Sequence, residues 1–97
     1  MPVNTNLPNK TAPSREQVLE DVKQIVSEFA TMPREDIQDS HDLVTDLGYD
    51  SLDIVETTME VEEHFDISVP DELAQEIRTV GDIADGVLRV LGRGQGD

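Results

Sequence analysis

The chain has 97 residues, no cysteine and a formal charge of −15. Its length admits one domain and not two, and the lack of cysteine excludes disulfides and thiolate metal sites. Residues 35–72 hold fourteen Asp or Glu and no Lys or Arg, a density that repels nucleic-acid phosphates and anionic lipid surfaces and attracts proteins displaying basic patches.

Residues 1–13 contain Pro2, Pro8, Pro13 and three Asn, with no apolar stretch like that of a signal peptide, and are expected to form a disordered arm. No apolar run reaches membrane-spanning length, so a cytoplasmic protein is expected. Ser14 followed by Gln17 reads as a capping box. Val18, Leu19, Val22, Ile25, Val26 and Phe29 follow at one-face helical spacing. That helix is expected over about 15–31, ending before Pro33, which bars helical geometry at its predecessor. A long connection over 33–50 follows, anchored by Ile37, Leu43, Val44 and Leu47, with Gly48 permitting a tight turn at its end.

The second helix is expected over 51–65. Ile54, Val55, Thr58, Val61 and Phe65 define its core side, and Asp53, Glu56, Glu60 and Glu63 its opposite side. Leu52 and Met59 sit where the two arcs meet. Glu62 projects into the apolar side, so either the helix end frays or this carboxylate reaches an edge. Pro70 opens a short segment over 71–76. Thr79 caps a last helix to about Leu91, carrying Val80, Ile83, Ala84, Val87, Leu88 and Leu91 inward. With only Phe29, Phe65 and Tyr49 as aromatics, the core is aliphatic, which suits helices better than a β-sandwich. The fold class is all-α: a small bundle of three main helices plus one short helix, with a long loop between helices one and two.

The chemistry concentrates in Asp46-Leu47-Gly48-Tyr49-Asp50-Ser51-Leu52-Asp53. Here a hydroxyl meets a helix N-terminus, where backbone N–H groups lack partners and the dipole favours negative charge. Ser51 there can cap the helix, or it can hold a phosphate. Spacing alone leaves both open.

The same segment resembles the phosphopantetheine attachment motif of acyl carrier proteins. The similarity continues through Val55-Glu56, Met59, Glu62-Glu63, Phe65-Asp66 and Val69-Pro70-Asp71-Glu72, and more weakly through Thr79-Val80. It covers about residues 15–91, which makes 14–91 the carrier domain and 92–97 a flexible tail. The resemblance implies a small acyl-carrier-like bundle and a monomer that catalyses nothing. Its Ser51 would receive 4'-phosphopantetheine from coenzyme A through a phosphopantetheinyl transferase, and acyl groups would ride on the arm as thioesters. It further implies that Asp50, Asp53, Glu56, Glu62 and Glu63, with Leu52 and Met59 among them, meet basic patches on acyl-transferring and chain-elongating enzymes. Glu60 joins this strip by its place on the wheel. Ile54, Val55, Thr58, Val61, Val69, Ile77 and Ile83 would line an acyl pocket, or else are ordinary core.

The expected role is therefore delivery of acyl intermediates in fatty acid or related lipid biosynthesis, with a polyketide or peptidyl-type carrier as the alternative. Gly48-Tyr49-Asp50 before the serine, in place of the Gly-Gly-His of peptidyl carriers, favours the acyl kind. Thr57 and Thr58 stand where fatty-acid carriers usually show aliphatic residues, and they point to a specialised carrier or a short or polar cargo. A hydrolase is set aside because Tyr49 and Asp53 occupy the places where a nucleophile elbow needs glycine. The acidic loops lack the spacing of a calcium-binding hand, and His41 and His64 are too far apart in sequence to suggest a zinc site.

Overall fold

Ser14 starts the first helix with a reciprocal cap: its Oγ accepts the Gln17 N–H at 3.1 Å while Gln17 Oε1 accepts the Ser14 N–H at 3.3 Å. The computed structural model describes residues 14–92, so the arm expected over 1–13 and the tail beyond Gly92 lie outside the described residues. Four α-helices follow in order: α1 (Arg15–Val26), α2 (Ser51–Phe65), α3 (Asp71–Glu76) and α4 (Val80–Gly92), with one 3-10 turn at Arg34–Asp36 between the first two.

Three of the four helices keep the bounds read from the sequence to within a residue. The first is shorter than expected, ending at Val26 rather than 31. Past that point the N–H groups of Glu28 and Phe29 turn to the carbonyls of Ile25 and Val26, three residues back, and the Ser27 hydroxyl donates to Gln24 O at 2.6 Å. The last turn thus tightens and unwinds. Thr31 then donates its N–H to Leu47 O at 3.0 Å, a contact that a continued helix would not reach.

The carbonyl of Val26, at the end of α1, also accepts the phenol of Tyr49 at 3.0 Å. Tyr49 is only 3% exposed, and its oxygen lies 2.8 Å from Thr57 Oγ1. The phenol has one proton and Val26 O can only accept, so the Thr57 hydroxyl donates to the phenol oxygen. This relay joins the end of α1, the loop before α2 and the middle of α2. It explains why Thr57, 1% exposed, is the one buried polar side chain among the described residues. Phe29 packs edge-on against the Tyr49 ring, centroids 6.2 Å apart.

The long loop is held by polar contacts at both ends. Asp42 Oδ1 accepts the N–H groups of Val44 and Thr45, both at 2.9 Å, and Asp46 Oδ2 accepts that of Asp42 at 2.7 Å. Leu43 N–H bonds Arg78 O, Val80 N–H bonds His41 O and Gly81 N–H bonds Asp39 O, which lays the loop along the start of α4. Ile37, Leu43 and Leu47 are buried as expected. Val44, expected as an anchor, is 53% exposed instead, because the Asp42 turn points it outward.

The core side of α2 is also rotated from the expected one. Thr57 and Val61 are buried, Ile54, Thr58 and Phe65 are half-buried, and Val55 is 54% exposed. Val55 lies about 100° round the helix from Ile54, beyond the reach of α1 and α4. The carboxylate of Glu62 does reach an edge: its Oε2 accepts the Val69 N–H at 2.7 Å. In α4, Val90 joins the core beside Val80, Ile83, Ala84 and Val87.

Replacing Tyr49 with Phe strands the Thr57 donor and should lower the unfolding free energy by about 1–3 kcal/mol, measured by urea titration. Burial, the largest cause, pushes the Tyr49 phenol up to about 12 from an ordinary value of 10.0. The folded state therefore holds this proton more tightly than the unfolded chain. The stabilisation is complete below about pH 10 and lost as pH rises through about 12. The stability gap between wild type and Tyr49→Phe should accordingly stay constant up to about pH 10 and narrow above it.

Candidate functional site

Gly48 makes the approach to α2 possible. Its φ is +77°, and a Cβ there would lie 2.7 Å from Thr31 Cγ2, so both backbone and space call for glycine. The Tyr49 N–H then returns to Leu43 O at 2.9 Å, and Asp50 extends the chain into the helix as its N-cap. Asp50 Oδ1 accepts the Asp53 N–H at 2.8 Å and Asp53 Oδ2 accepts the Asp50 N–H at 3.1 Å.

The capping alternative for Ser51 is thereby removed: Asp50 is the cap, and Ser51 is the first residue of the helix. Its side chain is exposed, and among the described residues its hydroxyl makes no hydrogen bond. The N–H groups of Ser51 and Leu52 also lack partners there, so two backbone donors stand open beside the free hydroxyl. An anionic group placed on that oxygen would meet the favourable end of the helix dipole, close to the two carboxylates of the capping box.

Along the outward side of α2, Leu52 (62% exposed), Val55 and Met59 (each 54%) form an apolar row at helical spacing. Glu56 and Glu63 flank it, both exposed and without an ion pair among the described residues. Sequence reading placed Leu52 and Met59 here but sent Val55 to the interior. Its spacing of three from Leu52 and four from Met59 was the available signal. The other expected strip residues have partners of their own. Asp50 and Asp53 close the cap, Glu62 holds the Val69 N–H, and Glu60 faces Glu28 of α1. The hydrogen bond with Glu28, followed by burial and the charges of Glu28, Glu63 and Glu56, holds the Glu60 carboxyl above the usual carboxylate range. At the far end His64 Nε2 stands 3.3 Å from Asp21 Oδ2.

Inside the bundle, Thr58, Val61, Val69, Ile77 and Ile83 surround a small cavity together with Gly86 and Val87. Ile54 lies outside that group, packed against the core instead, and Val55 is at the surface, which corrects its expected place. The cavity holds about 10 Å³, at most one water. Thr58 Oγ1 satisfies itself by donating to Ile54 O at 2.9 Å. Among the described residues no group of three or more His, Asp or Glu is placed to hold a metal ion, and no helix there is long and apolar enough to cross a membrane.

Residues 20–87 match the family model described as the phosphopantetheine attachment site. An acyl carrier protein of Wolinella succinogenes is 44% identical over 66 residues, spanning 68% of this chain and 87% of that protein. One from Prochlorococcus marinus is 46% identical over 69 residues, spanning 71% and 86%. The solved structure of the acyl carrier protein from Enterococcus faecalis superposes with a TM-score of 0.66 at 31% identity, covering 79% of this chain and 98% of the other.

The division of labour at the helix start has a direct test by urea unfolding. Asp50→Ala should cost about 1 kcal/mol through loss of the cap. Ser51→Ala, which removes a hydroxyl without a partner, should change stability by less than about 0.5 kcal/mol.

Proposed function

This chain belongs to the acyl carrier protein family, whose covalently attached group is 4'-phosphopantetheine, and we propose that Ser51 is its attachment point. The observation that carries the reading is the freedom of that hydroxyl: Asp50 does the capping, and Ser51 is left exposed and unbonded on the first turn of α2. When bound, the group supplies a thiol, which the cysteine-free chain lacks, for holding acyl chains as thioesters. The chain's own residues would then do three things. Gly48 and Asp50 present the serine, the open N–H groups of Ser51 and Leu52 favour the phosphodiester, and the α2 strip selects partners.

That strip fits basic patches on a phosphopantetheinyl transferase and on acyl-transferring and chain-elongating enzymes. Leu52, Val55 and Met59 supply apolar contact, while Glu56 and Glu63 supply charge. Steering by such a surface speeds encounter and weakens with salt. In this reading the chain is a non-catalytic cytoplasmic carrier, whose value lies in holding an intermediate at high effective concentration near successive enzymes. The setting we favour is fatty acid or related lipid biosynthesis.

A second reading, a carrier of shorter or more polar intermediates such as polyketides, is favoured by the interior. A cavity of about 10 Å³ edged by the Thr58 hydroxyl gives a long alkyl chain little room. Thr57 does not bear on this point, since its hydroxyl serves the Tyr49 relay.

Incubation with a phosphopantetheinyl transferase and coenzyme A should add one phosphopantetheine mass to the full chain, and Ser51→Ala should abolish the addition. An unmodified wild-type chain would overturn the assignment. With acyl groups of graded length then loaded, the Tm should rise little for long saturated chains in wild type and more in Thr58→Val. A steady rise with length in wild type would remove the second reading.

A further inference from the structure

Gly48 is glycine because its backbone and its neighbour Thr31 demand it, and at Gly81 a Cβ would stand only 3.1 Å from Asp39 O. Gly86 has neither reason. It lies in the interior of α4, its φ is not in the left-handed region, and a Cβ there would meet no atom within 4 Å. A glycine at such a place weakens a helix relative to alanine. Gly86 therefore costs α4 stability and gives the fold no turn or close contact in return.

What Gly86 does border is the internal cavity. That cavity has a floor and a rim: Val61 and Val87 are buried, whereas Thr58, Val69, Ile77 and Gly86 are half-buried. The other rim positions carry branched side chains. Gly86 carries none, so the rim stands open on the side of α4. From α2 the cavity takes only positions 58 and 61, a stretch of about 5 Å along that helix. Its volume of about 10 Å³ leaves no depth beyond the floor. A group seated there has width toward α4 and no length to run along the bundle. A straight alkyl chain would leave the open side without partner atoms and forfeit their dispersion contacts. A branch or ring of the same carbon count would fill it.

We propose that Gly86 is a specificity-determining residue, which holds the cavity's rim open on the α4 side and fits it to short acyl groups that are branched or cyclic. The choice of cargo rests on the carrier reading above. That the fold has no need of this glycine does not rest on it.

The first measurement uses the unmodified full chain. Gly86→Ala should raise its Tm by a few degrees, since the helix gains and nothing is crowded. An unchanged or lower Tm would show that the fold needs glycine here and would overturn the proposal. The second compares chains loaded with a cyclohexanecarbonyl or a heptanoyl thioester, which have equal carbon counts. Each loaded Tm is read against that of the same variant unloaded, which removes any effect on the fold itself. In wild type the cyclic group should raise the Tm more than the straight one. Gly86→Ala should narrow that difference and Gly86→Leu, which fills the rim, should abolish it. No preference for the ring in wild type, or the same preference in all three chains, would overturn the assignment of Gly86. Failure to load Ser51 at all would instead strike the carrier reading, with the unloaded comparison still valid.

Discussion

The bond on which the rest depends is the one from the Asp53 N–H to the Asp50 carboxylate. Every helix needs its first amides satisfied, and the residue that satisfies them is committed to that task. Here Asp50 takes the task one position early, so the hydroxyl that follows begins the helix instead of capping it. The turn that makes this possible needs a left-handed residue with no side chain, and Gly48 against Thr31 is that residue. The site is thus a consequence of ordinary helix-start chemistry displaced by one position.

The boundaries of α2, α3 and α4 were legible because each start is marked by local chemistry: a glycine turn before a serine, a leading proline, or a Thr cap. The end of α1 was not, because nothing in 27–31 forbids a helix. It loosens where Tyr49, far along the chain, adds its phenol to the Val26 carbonyl that the Phe29 and Ala30 N–H groups also use, and no local pattern announces that. The same relay hid the burial of Thr57, which a hydropathy wheel counts as polar. Val55 went astray for a related reason: a wheel shows which residues are apolar, and only the packing of α1 and α4 shows which apolar residues are left over. At the proposed attachment point the motif was legible in full. What the sequence left open was whether Ser51 caps the helix or holds a phosphate, and Asp50 was not read as the cap that it is.

Charge plays two roles that the composition merges. The total of −15 suggests one acidic surface, yet many of its carboxylates are structural. Asp42 and Asp46 fold the loop, Asp50 and Asp53 cap a helix, Asp82 accepts the N–H groups of Arg78 and Thr79 at 3.0 Å, and Glu62 holds Val69. Most of these accept backbone amides, which lets an acidic chain fold without matching cations. Arg15 bridges Asp39 and Asp85, Arg34 pairs with Glu20 and Arg89 with Glu76, so among the described residues no Lys or Arg pairs with a carboxylate of α2. The seam between α1 and α2 carries the like-charged contact of Glu28 and Glu60, which places the least comfortable electrostatics on the helix proposed to meet partners.

Tyr49 is the chain's single tyrosine, and there is no tryptophan. The chain's one phenol chromophore therefore stands at the junction of α1, the loop and α2, two residues from the serine proposed to carry the group. Its absorbance and emission respond to whether the phenol is bonded and dry, so loosening of that junction carries its own optical signal. Modification, loading and docking can each be followed at this one ring without attaching a label.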